Sequence, residues 1–149
     1  MIDTSDILVE ALTQALETSA FLTVMPGLEQ PDPPQRFCQV QMHFKGPACG
    51  TFQIVAGFEL GRILEQNIRG AESTDDDMAM DALKELTNVT CGLLLPMLGF
   101  SDDDVFDVTL PEVQDFEDSE RWESLTRQNG AIILDVEGLP ILVSLTTGQ

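Results

Sequence analysis

The residue types able to do chemistry in this chain are few, and the most suggestive of them fall in one stretch. Asp77, Asp81, Glu85, Asn88 and Gly92 follow one another at spacings of four, four, three and four, which on a helix stacks them along one face. A polar stripe is by itself the ordinary solvated side of an amphipathic helix. Two of its members are costly there: asparagine competes for backbone hydrogen bonds and is a poor helix former, and Gly92 costs about 1 kcal/mol relative to alanine. A glycine one turn beyond Asn88 suits a surface that another backbone or side chain must approach closely.

Other chemistries lose their residues. His43 is the single histidine and alternates with glutamines on the polar side of a strand, so no His-dependent triad and no multi-His metal site can be built within one chain. No GxGxxG, Walker lysine loop or GxSxG elbow is present. The acids Asp102, Asp103, Asp104 and Asp107 fail as a calcium loop. Counted from Asp102, the fifth position is Phe106, the sixth Asp107 and the twelfth Val113, where an EF-hand needs a ligand, a glycine and a glutamate. They are expected to form a solvated acidic turn. Cys38, Cys49 and Cys91 form no CxxC pair, and an odd count leaves one unmatched. Reduced thiols and a cytoplasmic location are the expectation.

The elements that must position the stripe follow from periodicity. Leu8, Ala11, Leu12, Ala15 and Leu16 predict a helix over residues 5 to about 24, ended by Met25-Pro26-Gly27. Three prolines in residues 29–35 make a connector. Cys38, Val40, Met42 and Phe44 alternate with polar residues, as do Phe52, Ile54 and Ala56, which predicts an antiparallel hairpin. A short helix over 58–69 closes at Gly70. The stripe lies on a second long helix, residues 74–98, capped by Thr74 or Asp75, whose buried side runs through Ala79, Leu83, Leu86, Val89, Thr90, Leu93 and Leu94. Strands are expected at 105–110, 131–136 and 140–145, the last two a hairpin around Glu137-Gly138. The fold class is therefore α+β, two long helices and a short one packed on an antiparallel sheet.

The 149 residues carry 26 acids against 7 Lys plus Arg, a net charge of −19, with 43% hydrophobic residues. This describes one soluble domain, residues 1–149, able to bury about two-thirds of its unfolded surface. Residues 71–123 hold 16 acids against Lys84 and Arg121, a local balance of −14. Such charge repels phosphate backbones and anionic lipids, so neither nucleic acid nor membrane is an expected partner. The amino terminus has acids where a secretory signal would be basic, and the longest apolar run, residues 91–100, is about half a membrane span and broken by Pro96 and Gly99.

Glu85-Leu86-Thr87-Asn88-Val89-Thr90-Cys91-Gly92 resembles the ExxNxxxG motif of the CheC/CheX/FliY phosphatases, which dephosphorylate CheY-like response regulators in bacterial chemotaxis. The likeness extends to Ala82-Leu83 before the motif and Leu110-Pro111-Glu112-Val113 after it, and to the opening helix and closing hairpin. One motif rather than two, with this length, is closest to the CheX type. Lys84 stands where the family often has glycine, and Leu93 where a small or polar residue is common.

The resemblance implies a phosphatase acting on a phosphorylated CheY-like receiver domain. Asn88 would position the attacking water and Glu85 would pair with the regulator's lysine, with Asp81, Lys84 and Gly92 in the docking surface. Hydrolysis of an aspartyl phosphate leaves mainly positioning to the phosphatase, because the regulator's own metal and lysine neutralise the developing charge. The chain then needs no cofactor of its own, magnesium being supplied in the regulator's site. The alternative is a non-catalytic receiver-binding or flagellar adaptor module of the same fold. A homodimer is expected, because CheX-type proteins pair and because residues 139–145 are apolar on both faces, a liability at an open sheet edge.

Overall fold

The structure, a computed structural model, describes residues 4–26, 33–70, 75–98 and 105–148. The elements in chain order are α1 (Thr4–Ala20), β1 (Val24–Pro26), β2 (Phe37–Lys45), β3 (Cys49–Gly57), α2 (Phe58–Arg69), α3 (Asp76–Met97), β4 (Asp107–Val108), β5 (Glu112–Phe116), α4 (Ser119–Thr126), β6 (Ile132–Val136) and β7 (Leu139–Gly148). The strands form one antiparallel sheet in the order β1-β6-β7-β3-β2-β4, with β5 also pairing β2. This is the α+β architecture expected from periodicity, with four helices among the described residues rather than three.

Alternation assigns each strand two different faces. Cys38, Val40, Met42 and Phe44 of β2, Phe52, Ile54 and Ala56 of β3, and Ile141, Val143 and Leu145 of β7 all enter one core. Into that core α1 buries Ile7, Leu8, Ala11, Leu12, Ala15 and Leu16, each of the leucines contributing about 1.5–3 kcal/mol. Helix α2 buries Phe58, Leu60 and Leu64, and α3 buries Ala79, Leu83, Leu86, Thr90 and Leu94, while Val89 and Leu93, expected on the same side, are only half-buried. A Cβ on Gly61 would come within 2.7 Å of the Ala79 carbonyl oxygen, so glycine is what lets α2 and α3 close on each other.

Several expectations change. The first helix stops at Ala20 rather than near Val24. Phe21 turns into the left-handed region at φ 56°, the Leu22 N–H donates back to the Leu16 carbonyl at 3.1 Å, and Val24–Pro26 is drawn off to pair with β6. Pro26 is tolerated because β1 is an edge strand. The strand expected at 105–110 is only Asp107–Val108. The neighbouring β5 takes over beside β2, pairing Phe37 with Phe116 and Val40 with Val113. Asp102, Asp103, Asp104 and Thr74 lie outside the described residues; Asp75 is the cap of α3, accepting from the Met78 N–H at 2.9 Å.

Helix α4 was not foreseen. It carries only Trp122 and Leu125 inward, packing them with Phe37, Val55 and Leu142 on the other face of the sheet; Phe37 and Trp122 meet edge to face at 5.4 Å. This second layer explains the two apolar faces of β7 and overturns the edge argument for dimerisation, since β7 lies inside the sheet between β6 and β3. The β6–β7 turn is as expected: Glu137 and Gly138 both have positive φ, 53° and 83°, the conformation of a two-residue type I′ hairpin turn.

Gln39 of β2 and Gln53 of β3 are buried and Gln41 is half-buried, and the three bond to one another. The Gln39 and Gln41 amides both donate to Gln53 Oε1, at 2.8 and 3.1 Å. His43 is exposed and bonded to Thr51 Oγ1 at 2.9 Å.

Candidate active site

Asp77, Asp81, Glu85, Asn88 and Gly92 are all exposed on α3, while Ala79, Ala82, Leu83, Leu86, Thr87, Thr90, Cys91, Leu94 and Leu95 are buried behind them. The threonines flanking Asn88 turn inward, their hydroxyls donating to the Leu83 and Leu86 carbonyls at 2.8 and 2.7 Å, so no polar atom of theirs is left without a partner in the core. Asn88 faces solvent, and its amide has no hydrogen-bond partner among the described residues. A Cβ on Gly92 would meet nothing within 4 Å. Its helix cost is therefore not offset by any close approach among the described residues.

Glu85 lies where three helices meet, sharing a shallow cleft with Ala15, Ser19 and Ala20 of α1, Leu64 and Ile68 of α2, and Leu86 and Val89 of α3. Its Oε2 accepts from Arg69 Nη2 at 3.2 Å, and Arg69 Nη1 donates to Glu65 Oε2 at 2.8 Å. Both Arg69 and Glu85 are about half exposed, so their pair contributes about 0–1 kcal/mol to stability. Lys84 Nζ stands 3.9 Å from Asp81 Oδ1, a turn away on the same helix. Leu93 is half-buried against the core, so its bulk is directed partly inward.

The start of α3 is clamped by charge. Asp76 is bonded to Arg36 and Arg62, and Arg36 also reaches Asp115 at 3.0 Å while its guanidinium lies 4.0 Å over the Phe58 ring. The Arg36 bond, with Arg62 adding to it, holds the Asp76 carboxyl below the ordinary aspartate range. Behind the stripe, burial pushes the Cys91 thiol up to about 11, and that of Cys38 to about 12, so neither serves as a nucleophile.

Sequence spacing placed Asp77, Asp81, Glu85, Asn88 and Gly92 together, and the resemblance added Lys84, but neither gave a sign of Arg69 or Glu65. Their only trace is an i,i+4 acid–base pair at the end of α2, common on any helix. A wider concavity, about 590 Å³, lies elsewhere, against Arg36, Phe58, Arg62 and Asp135. No grouping of three or more His, Cys, Asp or Glu able to hold a metal occurs among the described residues, and no helix among them is long and apolar enough to cross a membrane.

Glu85 and Asn88 thus face outward from a long helix laid on one antiparallel sheet, the fold that the resemblance of the motif implied. Residues 38–134 match the family model of the chemotaxis phosphatase CheX, and the chain belongs to that family. Its fold is similar to that of CheX from Desulfovibrio desulfuricans, with TM-score 0.71 at 16% identity over 99% of this chain and 100% of the other. The CheX–CheY–BeF3–Mg2+ complex from Borrelia burgdorferi matches with TM-score 0.65 at 17% identity over 100% of each chain. A CheC-like superfamily protein from Shewanella sp. PV-4 gives 0.68 at 18% identity, again over 100% of each chain. None of the curated proteins matches the sequence.

Proposed function

We propose that this chain, acting as one domain in the cytoplasm, hydrolyses the aspartyl phosphate of a phosphorylated CheY-like receiver. The observation that carries the reading is the exposure of Glu85 and the Asn88 amide one turn apart on α3 of a CheX-family chain. In this reading Asn88 uses its side-chain carbonyl or amide to hold a water in line with the phosphorus. The water's oxygen forms a bond to phosphorus, the bond to the aspartyl oxygen breaks, and inorganic phosphate leaves a free carboxylate on the receiver. Glu85 accepts a charge-assisted bond from the receiver's lysine and sets the register of docking. Asp81, Lys84 and the open space over Gly92 form the rest of the contact.

Magnesium comes with the receiver, as the Borrelia complex of CheX with CheY, BeF3 and Mg2+ supports. The phosphoryl group arrives on a protein surface, so a convex helix face suits it and the 590 Å³ concavity has no part in the reaction. Two copies pairing also belongs to this reading. With β7 interior, pairing through the sheet would fall to β1 or to the β4–β5 side.

The test is phosphate release from a receiver phosphorylated by a small phosphodonor in magnesium, with the chain present at a tenth of the receiver concentration. Multiple turnovers support the enzyme. Capture of the phosphorylated receiver with its lifetime unchanged would instead establish the adaptor.

A further inference from the structure

We propose that Arg69 is a positioning residue that fixes the Glu85 carboxylate on the docking face, and that the buried Glu65 holds Arg69 in place to do so. The proposal rests on the reading of Glu85 as the group that meets the receiver's lysine.

Glu65 is the unexpected residue. It is 2% exposed, on the side of α2 that packs into the core with Leu60 and Leu64. A carboxylate taken out of water is costly unless paired, and an apolar residue of similar size would serve packing better. Its partner is Arg69 Nη1, at 2.8 Å one turn along the helix. The other terminal nitrogen of the same guanidinium crosses to α3 and donates to Glu85 Oε2 at 3.2 Å. One planar group thus spans two carboxylates, one buried and one on the surface. A lysine ammonium, a point charge, cannot reproduce that fork.

The backbone under Arg69 is equally fixed. It is the last residue of α2, closed by Gly70 at φ 69° with its N–H bonded to the Gln66 carbonyl, and α2 is held against α3 at the Gly61–Ala79 approach. A glutamate alone on an exposed helix face samples several rotamers and loses that freedom on docking. Paired with Arg69, Glu85 has given up part of that freedom on folding. One N–H on Oε2 leaves acceptor capacity on the carboxylate for an incoming ammonium.

The experiment measures kcat and KM for hydrolysis of the phosphorylated receiver, with an unfolding midpoint for every variant. Arg69→Ala should raise KM about fivefold with kcat within about twofold. Arg69→Lys should recover part of the loss. Because Arg69→Ala leaves a buried charge unpaired and can unfold the chain, the double variant Glu65→Leu/Arg69→Ala removes that charge and should fold with KM still raised. In a Glu85→Ala background, Arg69→Ala should have no further effect on KM. A wild-type KM in the folded double variant, or a lowered one, overturns the proposal. So does a full Arg69 effect without Glu85, which would mean that Arg69 touches the receiver itself. If Glu85→Ala hydrolyses like wild type, the reading of Glu85 is lost and this inference with it; if Glu85→Ala is impaired and Arg69→Ala is not, only the present inference fails.

Discussion

Asn88 and Gly92 each make α3 a poorer helix than alanine would, and nothing among the described residues repays them: there the amide has no partner and the glycine has open space before it. In the proposed reaction both costs are met at the docking face. Asn88→Ala should therefore abolish most of the phosphatase activity while leaving stability unchanged or raised by about 0.5 kcal/mol, read from denaturant unfolding beside turnover. Gly92→Ala should stabilise the helix by about 1 kcal/mol and weaken receiver binding; stabilisation without weaker binding would take Gly92 out of the interface. The thiols offer a check on the fold itself. Cys38 and Cys91 are buried and Cys49 is exposed, so an alkylating reagent should modify Cys49 alone in the native protein and all three in denaturant.

At the scale of elements, α3 is placed by its ends as well as by its apolar side. The Arg36–Asp76–Arg62 cluster ties its first turn to the start of β2 and to α2. Because the folded Asp76 carboxyl titrates below its unfolded value of about 3.9, its contribution is complete above that pH and is lost as pH falls through the lower folded value. Asp76→Asn should flatten that part of the acid limb of the stability curve, leaving the curve near neutrality parallel to wild type. Elements with long regular patterns were legible in the sequence. The β2–β3 and β6–β7 hairpins declared themselves by alternation and by Glu137-Gly138, and α2 and α3 by period and caps. Helix α4 was not, since two apolar residues in eight carry too little periodicity, and its effect was seen only indirectly as the two-faced apolarity of β7. Strand β1 was read as the tail of α1 because three residues acquire strand geometry only from the edge of β6 that they join. The candidate site was legible where it lies along one helix. Arg69 and Glu65 were not, because their meaning depends on how α2 sits against α3.

For the whole molecule the net charge of −19 bears on how a charged partner would approach. If the acidic half steers a receiver with a basic docking face, the association rate should fall as ionic strength rises while dissociation changes little; a salt-independent association rate would make the charge a matter of solubility alone. Pairing of two copies should appear in sedimentation at micromolar concentration as a species of twice the 16.4 kDa chain mass. A monomer there would remove the dimer from the account, leaving the exposed stripe on α3 untouched.

The central claim is that Asn88 positions the hydrolytic water. Its most direct measurement is the lifetime of a phosphorylated receiver in magnesium, alone, with the wild-type chain and with Asn88→Ala, each variant at a concentration that saturates binding. The account predicts a lifetime shortened by the wild type and returned close to that of the receiver alone by Asn88→Ala, with binding retained. An Asn88→Ala chain that shortens the lifetime as much as the wild type contradicts it.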